Sequence, residues 1–175
     1  AMVFGSTFGA MNAANADDAL TIADAATFTV TQADEATDTA AFASDAETAN
    51  FSISGGDFTL ASLTSDTAAE NVVTIVDTGT TGAITITGDV TLADGAGDLK
   101  FIMADKATTL TFGGNVTDST GDGNVVITAN DTDIVVISGT GKTIDATIDG
   151  IADGEGTLRI TGAGTTMADK IGTTG

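Results

Sequence analysis

Apolar residues in this chain come in short alternating sets, apolar-x-apolar, and the sets return at a near-constant interval. Written under one another, Phe58-Thr-Leu60, Ile84-Thr-Ile86, Leu110-Thr-Phe112, Val135-Val-Ile137 and Leu158-Arg-Ile160 form one column, with steps of 26, 26, 25 and 23 residues. A glycine stands two positions beyond four of these sets, at Gly88, Gly114, Gly139 and Gly162. A second column aligns Val73-Thr-Ile75, Leu99-Lys-Phe101 and Val125-Val-Ile127 at steps of 26. Between them lie Val90-Thr-Leu92 and its counterpart Val116-Thr-Asp118, which predict a third short strand in each period.

Alternation with a period of two predicts strands with one face buried, and the Gly- and Asp-rich stretches between them predict corners. If successive periods stack in register, each climbs by one strand spacing, about 4.8 Å, and equivalent apolar residues form ladders inside the stack. The expected fold is therefore all-β, a parallel β-solenoid with about 26 residues per coil. The competing arrangement is an antiparallel β-sandwich of jelly-roll or Ig-like type, whose hairpins Asp94-Gly95, Asp122-Gly123, Asp149-Gly150 and Asp153-Gly154 would suit.

Upstream the period blurs. Strands are legible at Phe28-Thr-Val30 and Phe51-Ser-Ile53, but the Ala-, Thr- and acid-rich stretch from Gln32 to Asn50 reads as helix or as a long excursion. The expected organisation is an apolar amino-terminal arm or cap over 1–27, an irregular first coil over 28–57 and a repeat β domain over 58–175. The segment Ala1 to Ala16 is uncharged and apolar, and Ala14-Asn15-Ala16 has the small-x-small form of an export cleavage site; the expectation is a retained segment, too short to span a bilayer. It is the expected cover for the amino-terminal end. At the other end the pattern breaks off after Ile171-Gly-Thr-Thr, and further protein or another subunit is expected to cover it.

Composition agrees with repetitive β-structure: 34 Thr and 22 Gly occur among 175 residues, while Pro, Cys, His, Trp and Tyr are absent. With 25 acidic and 5 basic residues the formal charge is −20, and the first cation is Lys100. Nucleic acid is excluded as a partner, because phosphates need clustered Lys or Arg. The charge favours divalent cations or salty surroundings. Without Cys or His, disulfides, thiolate chemistry and the commonest general base are all missing.

The acidic corners are the candidate metal ligands: Asp94 and Asp98, Asp118 and Asp122, and above all Asp149, Asp153 and Glu155. Carboxylates on Gly-flexible loops suit Ca²⁺, which takes six to eight oxygens, although no twelve-residue EF-hand loop is present. The same residues also serve as plain corners, since Asp bonds local backbone N–H groups. Asp131 and Asp133 are the nearest approach to a hydrolytic carboxylate pair, yet no aromatic platform but Phe accompanies them, and no catalytic residue or enzyme activity is expected. A flat threonine ladder fails because Val136 and Arg159 continue the Thr85 and Thr111 column.

The runs ITITGDVTLADGAGDLKF (84–101), LTFGGNVTDSTGDGNVVI (110–127) and LRITGAGTTMADKIGTTG (158–175) resemble the passenger repeats of bacterial autotransporters and related surface-layer proteins, in the style of rickettsial outer-membrane surface antigens. The resemblance is one of repeat texture, and no carboxy-terminal membrane barrel accompanies it. It implies a secreted, cell-surface β-rich protein serving adhesion or a protective coat. The expected function is a self-assembling subunit of an extracellular filament or surface layer, with copies of itself as partners and Met2, Val3, Phe4 and Phe8 as contact residues. The alternative is an adhesin stalk whose binding tip lies outside this chain.

Overall fold

A computed structural model describes residues 19–22, 28–31, 39–42, 48–52, 57–76, 82–93, 95–104, 108–118 and 123–172. In chain order the strands are β1 (Ala19–Ile22), β2 (Phe28–Thr31), β3 (Thr39–Phe42), β4 (Thr48–Ser52), β5 (Phe58–Leu60) and β6 (Ser62–Ser65). There follow β7 (Asn71–Val76), β8 (Ala83–Ile86), β9 (Val90–Leu92), β10 (Leu99–Ala104), β11 (Thr109–Phe112) and β12 (Val116–Asp118). The last six are β13 (Val125–Ala129), β14 (Ile134–Ile137), β15 (Thr143–Ile144), β16 (Thr147–Gly150), β17 (Thr157–Ile160) and β18 (Thr166–Met167). No helix occurs among the described residues, so none is long and apolar enough to cross a membrane.

The protein is a parallel β-solenoid. Its strands fall into three sheets, one of seven strands (β1-β3-β6-β9-β12-β15-β18), one of six (β2-β4-β7-β10-β13-β16) and one of five (β5-β8-β11-β14-β17), and every pairing is parallel. From β4 onward the chain visits the three sheets in rotation, so each coil adds one strand to each face of a triangular stack. The antiparallel sandwich is thereby ruled out.

The first predicted column is the five-stranded sheet: Phe58 lies beside Ile84, Ile84 beside Leu110, Leu110 beside Val135, and Val135 beside Leu158. Inward positions of neighbouring rungs, such as Ile84, Leu110 and Val135, are fully buried, each contributing roughly 1.5–3 kcal/mol relative to exposure. Phe101 and Phe112 meet edge to face across the interior, with ring centroids 5.5 Å apart.

The second column needs a correction. Leu99 pairs with Val125 as the period requires, but Val73 lies beside Phe101, and Leu99 stands on Asn71. The step from β7 to β10 is thus 28 residues, not 26. The two extra residues lie between β7 and β8: Ile84 follows Asn71 by 13 residues, whereas Leu110 follows Leu99 by 11. Asn71 itself is fully buried, and its Nδ2 donates to Ser65 Oγ at 2.9 Å and Thr67 Oγ1 at 2.5 Å. This knot makes an inward corner of side-chain hydrogen bonds where the next two coils place Leu99 and Val125.

Stacking also begins earlier than the blurred period suggests. β1 lies within the stretch read as an arm, β3 lies within the stretch read as helix or excursion, and β4 starts there and runs into the strand read at Phe51-Ser-Ile53; β3 pairs with β6 and β4 with β7, so the stack is continuous across residue 58. Ala40 and Phe42 point inward and are buried. Strand addition to an existing edge here outweighs the helix preference of alanine.

The glycine column has a steric origin. A Cβ built on Gly114 would fall 2.1 Å from Gly88 O, one on Gly139 2.1 Å from Gly113 O, and one on Gly162 2.0 Å from Gly139 O. At this corner the rungs approach too closely for any side chain. Next to it a line of hydroxyls ties rung to rung: Thr87, Ser138 and Thr161 donate to the carbonyls of Leu60, Phe112 and Ile137 at 3.1, 3.3 and 3.3 Å.

Candidate functional site

Several acidic corners act as clamps between rungs. Asp57 Oδ1 accepts from Ala83 N at 3.1 Å, Asp89 Oδ1 from Asn115 N at 2.7 Å, and Asp98 Oδ1 from Asn124 N at 2.9 Å. In each case the donor lies 26 residues on, one coil further along the stack. Asn115 repeats the move, its Oδ1 accepting from Thr143 N at 3.1 Å. These bonds satisfy corner N–H groups that no strand ladder reaches.

Asp133 belongs to the same class but is fully buried. Its Oδ1 accepts from Thr108 N and its Oδ2 from Asn130 N, both at 2.9 Å. Burial pushes its carboxyl above the ordinary carboxylate range, against the opposing pull of those two N–H groups. Neighbouring Asp131 is exposed at a left-handed turn, with φ 41°. The nearest approach to a hydrolytic pair is therefore one buried staple and one turn residue.

Among the metal candidates, Asp94 and Asp122 lie outside the described residues. Asp98 is engaged by Asn124. Asp118 is partly buried at the end of β12 with Oδ1 shielded from solvent; its carboxyl is raised by burial first, then by the charges of Asp145, Asp169 and Asp98. Asp149 Oδ1 accepts from Gly150 N at 2.9 Å, Asp153 is exposed, and Glu155 buries Oε2. Asp149, Asp153 and Glu155 do share one loop, but among the described residues no three acidic side chains are grouped so as to hold a metal ion. Lys100 is ion-paired with Glu70, which raises its pKa.

That loop borders the last described rung of the stack, formed by β16, β17 and β18. Beyond β17 and β18 no strand follows among the described residues, so no described strand pairs with their outer edges. A groove of about 680 Å³ opens there, lined on its apolar side by Ile148, Ile151, Leu158 and Ile171. Asp149, Asp153 and Glu155 line its acidic side. Ile151, Ile160 and Ile171 are 60%, 46% and 55% exposed, the large exposed hydrophobics of the described chain. Leu158 and Ile160 occupy positions whose counterparts Val135 and Ile137, one rung back, are fully buried. What is core inside the stack is surface at its end.

Sequence reasoning did not name these isoleucines as contact residues, although it expected further protein or another subunit to cover the end after Ile171. Asn71, Ser65 and Thr67 were missed because nothing marks a lone polar set as interior. The expected contact residues Met2, Val3, Phe4 and Phe8 lie outside the described residues.

No protein-family model, curated protein or solved structure matches this chain.

Proposed function

We propose that this chain is a structural protein, exported to a microbial surface, whose stack is a building unit of a filament or surface layer. The observation that supports the reading is the last described rung: an apolar groove and three exposed isoleucines beside strand edges that no other described strand covers. Exposed apolar surface beside open edges is the ordinary mark of an association surface. The repeat texture shared with autotransporter passengers and surface-layer proteins supports an outer-surface location, and the formal charge of −20 suits a salty exterior.

Sedimentation velocity over a wide concentration range, with electron microscopy of the concentrated sample, tests the proposal. Reversible, concentration-dependent growth into elongated particles is expected. A chain that stays monomeric throughout would refute self-assembly and leave the adhesin stalk as the better account.

A further inference from the structure

An Asp-Gly step is where an unmodified main chain rearranges most readily, because glycine has no Cβ to hinder attack by its nitrogen on the neighbouring carboxyl. The chain has four such steps, and both residues are described in two of them, Asp149–Gly150 and Asp153–Gly154. These two lie four residues apart, yet the fold gives them opposite settings. We infer that Asp153 is a site of spontaneous modification, closing to a cyclic imide with Gly154 and reopening as isoaspartate, while Asp149 is protected by its strand.

The reaction needs the glycine nitrogen to approach Cγ with the face of its amide plane, not with its N–H edge. The N–Cγ bond forms as a Cγ–O bond breaks, and the oxygen leaves as water with the amide proton and one proton from the carboxyl or solvent. Water then adds to one of the two imide carbonyls. Opening at Cγ restores aspartate; opening at the main-chain carbonyl gives isoaspartate, with one more methylene in the backbone. Neither step consumes an oxidant or a reductant.

Asp153 and Gly154 meet this demand. They are the two central residues of a turn closed by Glu155 N, which donates to Ala152 O at 3.1 Å, and neither belongs to a strand. Gly154 sits at φ +83°, and nothing lies within 4 Å of where a Cβ would stand. Their shared peptide can turn over without breaking a sheet bond.

Asp149 and Gly150 do not meet it. They close β16 beside Thr128 and Ala129 of β13, and the next amide, Ile151 N, donates to Ala129 O at 2.8 Å. Gly150 aims its N–H at Asp149 Oδ1, 2.9 Å away, which keeps the reactive face of that amide off Cγ. Glu155 O and Ala152 O lie 2.5 and 3.0 Å from where a Gly150 Cβ would stand, so this peptide has no room to turn. In the isoaspartate product the corner joining β16 to β17 is one methylene longer, and the Asp153 carboxylate that lines the groove is displaced.

Asp149, Asp153 and also Asp145, which precedes Ala146 and so serves as the slow control, fall in one tryptic peptide, Thr143–Arg159. The parent chain is held in heavy-oxygen water at neutral pH and physiological temperature, folded or in concentrated urea, then digested in ordinary water at mildly acidic pH. Electron-transfer fragmentation locates the incorporated oxygen and separates isoaspartate from aspartate, and circular dichroism confirms that the folded sample keeps its β signal. While folded, Asp153 should gain label and isoaspartate at least about tenfold faster than Asp149, because Gly150 must first leave its ladder. In urea the two steps should react alike, both ahead of Asp145. Equal conversion of Asp149 and Asp153 in the folded chain overturns the inference. So does a folded chain in which neither converts, or an Asp145 that keeps pace with Asp153.

Discussion

Replacing Gly114 by alanine tests the claim that the glycine corner is set by rung spacing. The added Cβ would lie 2.1 Å from Gly88 O and 2.6 Å from Asp89 N, where ordinary contact begins at 3.4 Å. Both are backbone atoms, so no side chain can swing aside. Relief requires the two rungs to part locally by about 1 Å, and that stretches the corner bonds Gly113 N to Ile86 O and Val90 N to Asn115 O, each 2.8 Å, out of hydrogen-bonding range. Two bonds at about 0.5–1.5 kcal/mol each, with about 1–3 kcal/mol of overpacking, give a cost of about 2–6 kcal/mol. For a chain of this length that lowers the melting temperature by on the order of 10 °C. Gly95→Ala is the matched control, for a Cβ there meets nothing within 4 Å and only its φ of +76° is strained, costing about 1 kcal/mol. Thermal unfolding followed by circular dichroism separates the two. If Gly114→Ala melts within about 3 °C of the parent, or if Gly95→Ala is equally harmful, the close-approach argument is wrong.

Three further outcomes are expected. Asp133→Ala leaves the N–H groups of buried Thr108 and partly buried Asn130 without their acceptor and should cost about 2–4 kcal/mol in urea unfolding, against about 0.5–1.5 kcal/mol for Asp98→Ala at an exposed clamp. Asn71→Leu removes the donor to Ser65 and Thr67 inside the stack, and a loss of about 1–3 kcal/mol is expected despite the gain in apolar volume; an unchanged urea midpoint would show that the polar knot is dispensable. Stability should rise on mild acidification. Asp118 and Asp133 have folded-state pKa values raised above the unfolded ones, so the native chain holds more protons between the two values. Their contribution is full below about pH 4 and fades as pH climbs through the raised values, and a melting temperature that falls steadily from pH 7 to pH 5 would contradict this.

The fold was legible because stacking forces repetition: a residue that must fit over its equivalent one rung away keeps the same chemistry, and the column from Phe58 to Ile160 shows it directly. The candidate site was legible only in part. Asp98, Asp118 and Asp149 stood out as acidic corners, but the same letters serve as ligand, turn or clamp. Which of these holds depends on whether an N–H of the next rung points at the carboxylate, as Asn124 N does at Asp98.

The chain's own order of residues determined which side chains face inward, the near-constant length of a coil and the lack of any cation before Lys100. It left the register of β7 open, because a shift of two residues preserves alternation and keeps every apolar side chain on the buried face. Only the stacked structure sets Phe101 over Val73 and Leu99 over Asn71, the two extra residues being taken up between β7 and β8. The exposure of Ile160 and Ile171 was likewise beyond local pattern, for burial belongs to the rung above and below a residue and not to the residue itself.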